Sequence, residues 1–249
     1  MSEKVFIQNN KRLKLAAVIH RPENETDKLA ILCPGYLDSK DYNHLVGLSE
    51  ELTKNGYTAV RFNPTGTWDS EGSIEEYTTT QYLADIKSVL EYMLEQKQYR
   101  NILLAGHSRG GKVSLLYAAI DPRITEVIDI MGSARVIADN RAKEAQETGF
   151  SRSTRDIPGS QDRKEFRVPY NHILDNNKYD VLAEVKKTKA QLILIAGELD
   201  TLIPPEEIKK IYDIANEPKK YFLIPGIGHD YRLNKDEIRL VNDTILKNI

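Results

Sequence analysis

The chain has 249 residues and a formal net charge of −2, and its single cysteine, Cys33, excludes an internal disulfide and a cysteine metal cluster. Charged residues make up 29% and hydrophobic residues 40% of the chain, which is typical of a soluble globular domain, and no partner among nucleic acids or anionic membranes is expected from so small a charge. The first residues lack the apolar core of a signal peptide, and no apolar run approaches the roughly 18 residues of a membrane span. We therefore predict a cytoplasmic protein.

The first half of the chain predicts a hairpin followed by alternating strands and helices. The Asn9-Asn10 turn joins the two strands of the hairpin. Wholly apolar runs such as 29–33 predict strands buried on both faces, whereas apolar residues at helical spacing in 80–96 predict an amphipathic helix. The predicted strands are 4–7, 13–20, 29–33, 58–62, 102–105 and 127–131, and the predicted helices are 42–55, 80–96 and one that follows residue 108.

The segment 133–188 interrupts this alternation. It is polar, carries charges of both signs, has Pro158-Gly159 in its middle, and is too long for a simple connection. We predict a cap or lid inserted over the strand ends of a core formed by 1–132 and 189–249. The alternation then resumes with strands at 191–196 and 220–224 and helices at 205–215 and 236–247. This pattern predicts an α/β fold with a mostly parallel sheet covered by helices on both faces, with its chemistry at the carboxyl ends of the strands.

A strand-to-helix turn centred on Ser108 is the strongest motif of the chain. Four apolar residues at 102–105 lead into 106–110, which fits the pattern G-x-S-x-G. A chain that turns so sharply packs its neighbours against the turn, where glycine avoids a clash because it has no Cβ. The central residue adopts a strained conformation that presents its side chain to solvent. Ser108 is therefore the predicted nucleophile.

Two later strand ends supply the partners that a serine nucleophile needs. Asp200 follows the strand 191–196, and His229 follows the strand 220–224, in the order serine, acid, histidine that this kind of hydrolase uses. An imidazole takes the hydroxyl proton, and a carboxylate fixes the tautomer of the imidazole. Glu198 and Asp230 compete for the acid role. We prefer Asp200, because Glu198 is closer to the strand and Asp230 directly follows the histidine.

The oxyanion formed on attack requires backbone donors. The predicted donors are the N–H of Arg109, which follows the nucleophile, and the N–H of Tyr36, which Gly35 leaves accessible. We expect the His107 side chain to point away from the nucleophile into the supporting structure. No metal site and no cofactor motif is predicted, since neither a P-loop nor a dinucleotide-binding pattern occurs, and Lys112 is interpreted as a surface lysine.

Several further motifs match a known family. They are Gly35-Tyr36 with Lys40, Val60-Arg61-Phe62-Asn63 before Gly66, Asp69-Ser70-Glu71-Gly72, the turn 106–110, the run 197–200 with Ile203-Pro204, and Gly228-His229. Together they resemble the α/β-hydrolase superfamily over nearly the whole chain and, within it, the small bacterial serine esterases that include cinnamoyl (feruloyl) esterases and related acyl hydrolases. The resemblance implies a sheet of about eight strands, hydrolysis of carboxylic esters through an acyl-enzyme on Ser108, and a compact cap that shapes the pocket.

Two positions depart from that family's pattern. The family often has His-Gly where this chain has Pro34-Gly35, a change that leaves a backbone oxyanion donor in place but reshapes the loop. The family's Gly-His-Gly-x-Ser pattern is replaced at 66–70, where Trp68 is the only tryptophan of the chain. We expect Trp68 to narrow access to the pocket.

Aromatic and basic side chains are the candidates for substrate binding. We predict that Trp68, Phe166, Tyr170 and His172 line the pocket. The alternatives are that the aromatic residues of the insertion anchor it to the core and that His172 is solvated. Arginines of the insertion could favour an anionic substrate, but acidic residues are interleaved with them, so we prefer a solvated surface of mixed charge. These arginines are Arg141, Arg152, Arg155, Arg163 and Arg167.

The sequence supports a serine hydrolase of small acyl or arylacyl esters, with a small-molecule ester as its partner. The same three residues also support a peptidase or a thioesterase. A protein that kept the fold as a non-catalytic ligand receptor is a third hypothesis, which intact catalytic residues disfavour. Whether the chain is a monomer or a homodimer stays open.

Overall fold

The structure, a computed structural model, describes residues 2–135 and 140–249. Its strands within these ranges are β1 (Ser2–Gln8), β2 (Lys14–His20), β3 (Lys28–Cys33), β4 (Thr58–Phe62), β5 (Asn101–His107), β6 (Glu126–Ile130), β7 (Phe150–Asp156), β8 (Arg163–Pro169), β9 (Gln191–Gly197) and β10 (Lys219–Ile224). Its α-helices are α1 (Asn43–Lys54), α2 (Thr79–Gln96), α3 (Arg109–Ile120), α4 (Asn140–Thr148), α5 (Tyr170–Asn176), α6 (Val181–Glu184), α7 (Pro205–Ile214) and α8 (Lys235–Leu246).

Eight strands form one sheet in the order β1-β2-β4-β3-β5-β6-β9-β10. The pairs β1–β2 and β2–β4 are antiparallel, and all other neighbours in this sheet are parallel. The predicted α/β class and mostly parallel sheet are confirmed, and the predicted core strands and helices are found with slightly different ends. The register places Gly106 at the end of β5 opposite Cys33 of β3 and Asp129 of β6. This edge of the sheet carries the motif around Ser108.

Two hydrophobic layers cover the sheet. Helices α1 and α8 pack together on one face, where Leu48 and Val241 are buried. Helices α2, α3 and α7 cover the other face, with Ile86, Val113 and Ile208 in its core. Because the central strands are covered on both faces, every residue of β4 is buried, and β3 is buried from its second residue onward, as the unbroken apolar run 29–33 predicts. None of the described helices is long and apolar enough to cross a membrane.

The segment after β6 contains more regular structure than its sequence indicates. Strands β7 and β8 form a separate antiparallel hairpin, and α4, α5 and α6 accompany it. Both strands are rich in charged residues, and the buried position of β7 is the polar Ser151, so no apolar period of two marks the hairpin and we did not predict it. The segment contacts the core directly, since the Tyr42 hydroxyl donates to the Asp156 carbonyl at 2.8 Å and Asp175 accepts from the Thr80 N–H at 2.8 Å. Its division from the core as a cap at 133–188 stays a prediction.

Candidate active site

The turn between β5 and α3 holds Ser108 in a conformation that few side chains adopt. Its φ of 56° and ψ of −119° lie outside the ordinary regions for an L-residue. A Cβ on Gly106 would lie 2.3 Å from the carbonyl carbon of Gly110, and a Cβ on Gly110 would lie 1.9 Å from the carbonyl oxygen of Cys33. Only glycine fits at both positions, so the local packing explains the pattern around the serine.

Ser108, His229 and Asp200 form one continuous chain of hydrogen bonds. The Ser108 hydroxyl lies 3.0 Å from Nε2 of His229, and Nδ1 of His229 lies 2.8 Å from Oδ2 of Asp200. The other carboxylate oxygen of Asp200 accepts the backbone N–H groups of Leu202 and Ile203 at 2.9 and 2.8 Å. With Nδ1–H donating to the carboxylate, Nε2 is left as the acceptor for the serine proton. The arrangement can activate a hydroxyl nucleophile.

The two competing acids lie elsewhere. Oε2 of Glu198 accepts the Gly226 N–H at 2.9 Å, which fixes it to the loop after β10. The Asp230 side chain is 70% exposed and faces Arg232 at 3.5 Å. Asp200 is therefore the acid that the structure brings to His229.

The loop after β3 places Tyr36 in the cavity that Ser108 lines. Arg109 is the first residue of α3, so its N–H is among those that a helix leaves unpaired. Arg155 of β7 donates from Nε and Nη2 to the Tyr36 carbonyl oxygen at 3.2 and 3.0 Å. Tyr36 and Arg109 line one cavity together with Ser108. The structure thus places the two residues that we predict as oxyanion donors beside the nucleophile.

Three aromatic side chains that follow β4 in the chain form hydrogen bonds with the loop after β3. The Tyr82 hydroxyl donates to the Pro34 carbonyl at 2.8 Å, and the Tyr77 hydroxyl accepts the Leu37 N–H at 3.0 Å. The Trp68 indole N–H donates to the Leu37 carbonyl at 3.1 Å, across a residue whose φ is 57°. These three hydrogen bonds hold the loop in a conformation in which Leu37 has a strained, positive φ.

Comparison with known proteins agrees with this architecture. A family model described as the alpha/beta hydrolase fold matches residues 29–142. The mitochondrial palmitoyl-protein thioesterase ABHD10 of Mus musculus is 26% identical over 223 residues, which cover 86% of this chain and 73% of the mouse protein. Est1E from Butyrivibrio proteoclasticus, solved with ferulic acid bound, has a similar structure, with a TM-score of 0.79, 23% identity and coverage of 97% of this chain and 96% of Est1E. This chain has the α/β-hydrolase fold.

A second solved structure supports the same fold. Mouse alpha/beta hydrolase domain-containing protein 10 has a TM-score of 0.77 and 22% identity, with coverage of 98% of this chain and 97% of the mouse chain. Identity at this level establishes the fold and leaves the substrate to the chemistry of the site.

The four residues predicted to bind substrate lie outside the cavity that Ser108 lines. Trp68 bonds to Leu37 and packs edge-on against the buried Phe166, with ring centroids 5.5 Å apart, so both belong to the packing between the β7–β8 hairpin and the core. Tyr170 begins α5, where its N–H donates to the Gly149 carbonyl. None of these three is among the described residues that line the cavity, and the alternative that aromatic residues anchor the insertion fits Phe166.

His172 is neither solvated nor at the cavity surface. It is buried, with Nδ1 2.6 Å from the Tyr77 carbonyl and Nε2 3.2 Å from Nη1 of Arg109. Burial and the adjacent guanidinium hold the pKa of His172 well below its usual value, so the ring is neutral. Its Nδ1–H donates to the carbonyl and its Nε2 accepts from Arg109. The role predicted for it as a substrate ligand is replaced by one of positioning the Arg109 side chain.

Asp38, which lines the cavity, is the centre of a buried group of charges. Its Oδ2 lies 3.9 Å from both His44 Nε2 and His107 Nδ1, and its Oδ1 lies 4.0 Å from Arg155 and Arg232. Burial alone would raise its pKa, but His107 and Arg232 more than offset this and bring the pKa to about 2. His44 is buried, and burial lowers its pKa to about 3. Asp38 is thus an anion balanced by two guanidinium groups.

Among the described residues, one group has the donors to hold a metal ion. It consists of Asp38, His44 and His107, whose donor atoms lie within 4.8 Å of one another. A cation there would share the carboxylate with Arg155 and Arg232, so the donor set fits a metal poorly. His107 also packs against the His229 ring, at 4.7 Å between centroids, as expected of a supporting residue. The prediction of a metal-free site is unchanged.

The cavity itself has a volume of about 610 Å³ and is rich in cations. Six basic and two acidic side chains are found among its described lining residues: Arg109, Lys112, Arg135, Arg141, Arg155 and Arg232, with Asp38 and Asp230. Lys112, which we interpreted as a surface lysine, is buried. The mixed-surface interpretation holds for the exposed Arg152, Arg163 and Arg167, but it was wrong for the two arginines of 140–156 that reach the cavity. No local pattern separates these two groups, because only the fold decides which arginines face inward.

Proposed function

We propose that this chain is a serine hydrolase that cleaves small carboxylic esters, or the corresponding thioesters, through an acyl-enzyme on Ser108. The single observation that carries the proposal is the continuous chain from the Ser108 hydroxyl through His229 to Asp200. Hydrogen-bond distances along this chain match those of a nucleophile, its base and the acid that orients the base.

Acylation begins when the Ser108 oxygen bonds to the substrate carbonyl carbon and its proton passes to Nε2 of His229. The negative charge moves to the carbonyl oxygen, where the N–H groups of Tyr36 and Arg109 donate to it. Asp200 stabilises the imidazolium without taking the proton. When the oxyanion collapses, the bond to the leaving oxygen or sulfur breaks, and His229 gives its proton to that atom.

Deacylation repeats these steps with water. His229 removes a proton from the water as its oxygen bonds to the acyl carbon, and the same two N–H groups receive the charge. The bond to Ser108 then breaks, and the proton on His229 returns to the serine oxygen. The carboxylic acid leaves and the enzyme is restored.

The shape and lining of the cavity favour a short acyl group. Leu202 and Ile203 are the only aliphatic side chains among its described lining residues. The mouse relative is named a palmitoyl-protein thioesterase, but a palmitoyl chain requires an extended apolar channel. We therefore extend to this chain the thioester chemistry and not the long acyl chain. A cytoplasmic location stays a prediction from the sequence, while the mouse relative is named mitochondrial.

A fluorophosphonate probe and three hexanoyl substrates test the proposal. We expect a burst of 4-nitrophenol from 4-nitrophenyl hexanoate, and stoichiometric probe labelling of Ser108. Ser108→Ala should lose at least about 10⁴-fold in kcat, while Ser160→Ala, an exposed serine on the β7–β8 hairpin, keeps the wild-type rate.

The remaining substrates separate the alternatives. A hexanoyl thioester cleaved faster than the ester favours the thioesterase, and a cleaved hexanoyl anilide favours the peptidase. Absence of both labelling and turnover, with ligand binding that Ser108→Ala leaves intact, would establish a non-catalytic receptor and overturn the proposal.

A further inference from the structure

Four cationic residues are buried in the described part of the chain, and they fall into two pairs. Lys40 and Arg61 each form an ion pair with Asp41. Arg109 and Lys112 have no carboxylate within the 4.0 Å of an ion pair among the described residues. Burying a charge without a partner is costly, so natural proteins leave such a charge mainly where a ligand supplies the partner. Both unpaired cations line the cavity that contains Ser108.

Arg109 is held in place with two of its donors unpaired. Its Nη1 contacts Nε2 of His172 at 3.2 Å, and its guanidinium lies over the Tyr77 ring at 4.8 Å. Its Nε and Nη2 are buried and have no hydrogen-bond partner, although only 7% of the residue is exposed. The neutral His172 and the aromatic ring orient this side chain but do not neutralise it. Arg109 is therefore a buried cation beside the cavity whose charge no described carboxylate neutralises.

Lys112 lies next to Arg109 on the same helix. Its Nζ donates to the Arg135 carbonyl at 3.3 Å, which leaves two further protons of the ammonium group. Asp180 exerts an attraction on it, but the carboxylate of Asp180 already accepts the Leu182 N–H at 3.0 Å as the cap of α6. Lys112 thus remains a cation that the protein itself leaves without an ion pair.

The two cations are close to the reacting atoms. Arg109 directly follows Ser108, and Lys112 lies three residues further along α3, on the neighbouring position of the helix surface, roughly 5–6 Å away. Both stand in the first turn of α3, whose dipole adds positive potential. Arg155 and Arg232 add to the positive field of the cavity, although Asp38 balances them in part.

We propose that the substrate carries a small anionic group, a carboxylate or a phosphate, close to the scissile carbonyl, and that Arg109 and Lys112 bind this group. The proposal rests on the proposed function, because it names the class of ester or thioester that the site accepts. It separates this chain from an esterase of neutral esters. The anion supplies the partner that both buried cations lack.

Substrates that differ only in charge test the proposal. One pair is 4-nitrophenyl adipate monoester and its methyl ester, which place the charge on the acyl side. The second pair is 4-carboxyphenyl hexanoate and its methyl ester, which place it on the leaving group. We expect kcat/KM to be at least tenfold higher for the anionic member of one pair, and that pair identifies the side that faces the two cations. Equal values in both pairs would overturn the proposal for carboxylates, and the same result with 4-nitrophenyl esters bearing a phosphate would overturn it altogether.

Variants connect the preference to the side chains. Lys112→Met should reduce the ratio of kcat/KM for the anionic ester to that for the neutral ester by at least tenfold, and Lys112→Arg should restore it. Lys87→Met, which removes an exposed lysine from α2, is the matched control and should leave the ratio unchanged. A ratio that does not change in Lys112→Met contradicts the assignment.

Binding without turnover separates this inference from the proposed function. Calorimetry should detect monomethyl adipate and not dimethyl adipate, and Lys112→Met should weaken the binding of the anion at least tenfold. Anion binding in a protein that hydrolyses no ester would leave the anion site intact and refute the proposed function. Hydrolysis of neutral esters by Ser108, with no anion binding and no preference for anionic esters, would support the proposed function and refute the anion site.

Discussion

Arg155 joins the β7–β8 hairpin to the loop after β3 through two hydrogen bonds to the carbonyl oxygen of Tyr36. The donor atoms Nε and Nη2 lie 3.2 and 3.0 Å from that oxygen, so the planar guanidinium fixes the orientation of the peptide that follows. Because a peptide is planar, this contact on one side of the loop constrains the backbone next to the predicted oxyanion donor.

Loss of this contact should affect the rate of chemistry more than binding. Lysine in Arg155→Lys keeps the positive charge but cannot form the paired bonds, so we expect kcat for a neutral ester to fall about tenfold with KM changed less than about threefold. Steady-state kinetics with 4-nitrophenyl hexanoate measure both. Arg163→Lys, an exposed arginine that pairs with Asp156 at 3.0 Å on the same hairpin, is the matched control. An unchanged kcat in Arg155→Lys would show that the hairpin does not position the loop.

Trp68 provides a test between a wall of the pocket and a support of the loop. Phenylalanine in Trp68→Phe retains the aromatic packing against Phe166 but loses the indole bond to Leu37. We expect the free energy of unfolding to fall by about 1 kcal/mol, a decrease of about 2–4 °C in Tm, with a smaller kcat. Calorimetry and an ester series of increasing acyl size measure these effects. A variant that only gains activity on bulky esters would support the pocket wall instead.

The protonation of Lys112 gives a prediction for the pH dependence of specificity. Burial and then Arg109 lower the pKa of Lys112 to about 8, while Asp180 opposes this. The ammonium is present below that pH and lost above it, so the preference for the anionic ester should decrease as the pH rises through about 8. The ratio of kcat/KM for the two members of a pair cancels the pH dependence of the chemical step, which both esters share. Lys112→Arg should keep the preference constant up to pH 10, and a wild-type ratio that is equally constant contradicts the assignment.

The sequence signals that predict the nucleophile, its base and the acid are local. Ser108 sits in a five-residue pattern, and His229 and Asp200 each follow an apolar strand in a fixed order. His44 and Arg155 carry no such signal. Their surroundings are set by Asp38, which comes from a different loop, and only the packed fold brings these residues together. A charged residue in a polar segment reads as solvated unless the position of that segment over the sheet is known.

A residue type alone does not distinguish a substrate contact from a structural support. A single tryptophan in a loop near the strand ends suggests a substrate contact, yet the Trp68 indole N–H bonds to a backbone carbonyl. Leu37 has a strained, positive φ, and the indole bond holds its backbone in that conformation. No sequence pattern predicts this φ. The predicted pocket residues lie outside the cavity that Ser108 lines, whereas the turn around Ser108 and the order of the strands are sufficient to locate that cavity.

Asp129 of β6 gives a prediction for the pH dependence of stability. It is fully buried beneath the turn around Ser108, where a Cβ on Gly111 or Gly132 would lie 1.9 or 2.0 Å from its Oδ1. Burial raises its pKa from 3.8 to about 7. Between these values the folded protein binds more protons than the unfolded chain, so this group makes stability fall as the pH rises from about 4 to about 7, and its contribution is constant above that.

Asparagine in Asp129→Asn has nearly the same shape and no charge, so it removes this pH dependence. Relative to the wild type, the variant should gain up to about 4 kcal/mol of unfolding free energy between pH 4 and pH 8. Urea unfolding at both pH values measures the change, and Asp213→Asn on the exposed face of α7 should give a curve parallel to the wild type. If the Asp129→Asn curve is also parallel, the carboxyl is ionised in the folded protein, and the packing of the elbow against it must accommodate a charge.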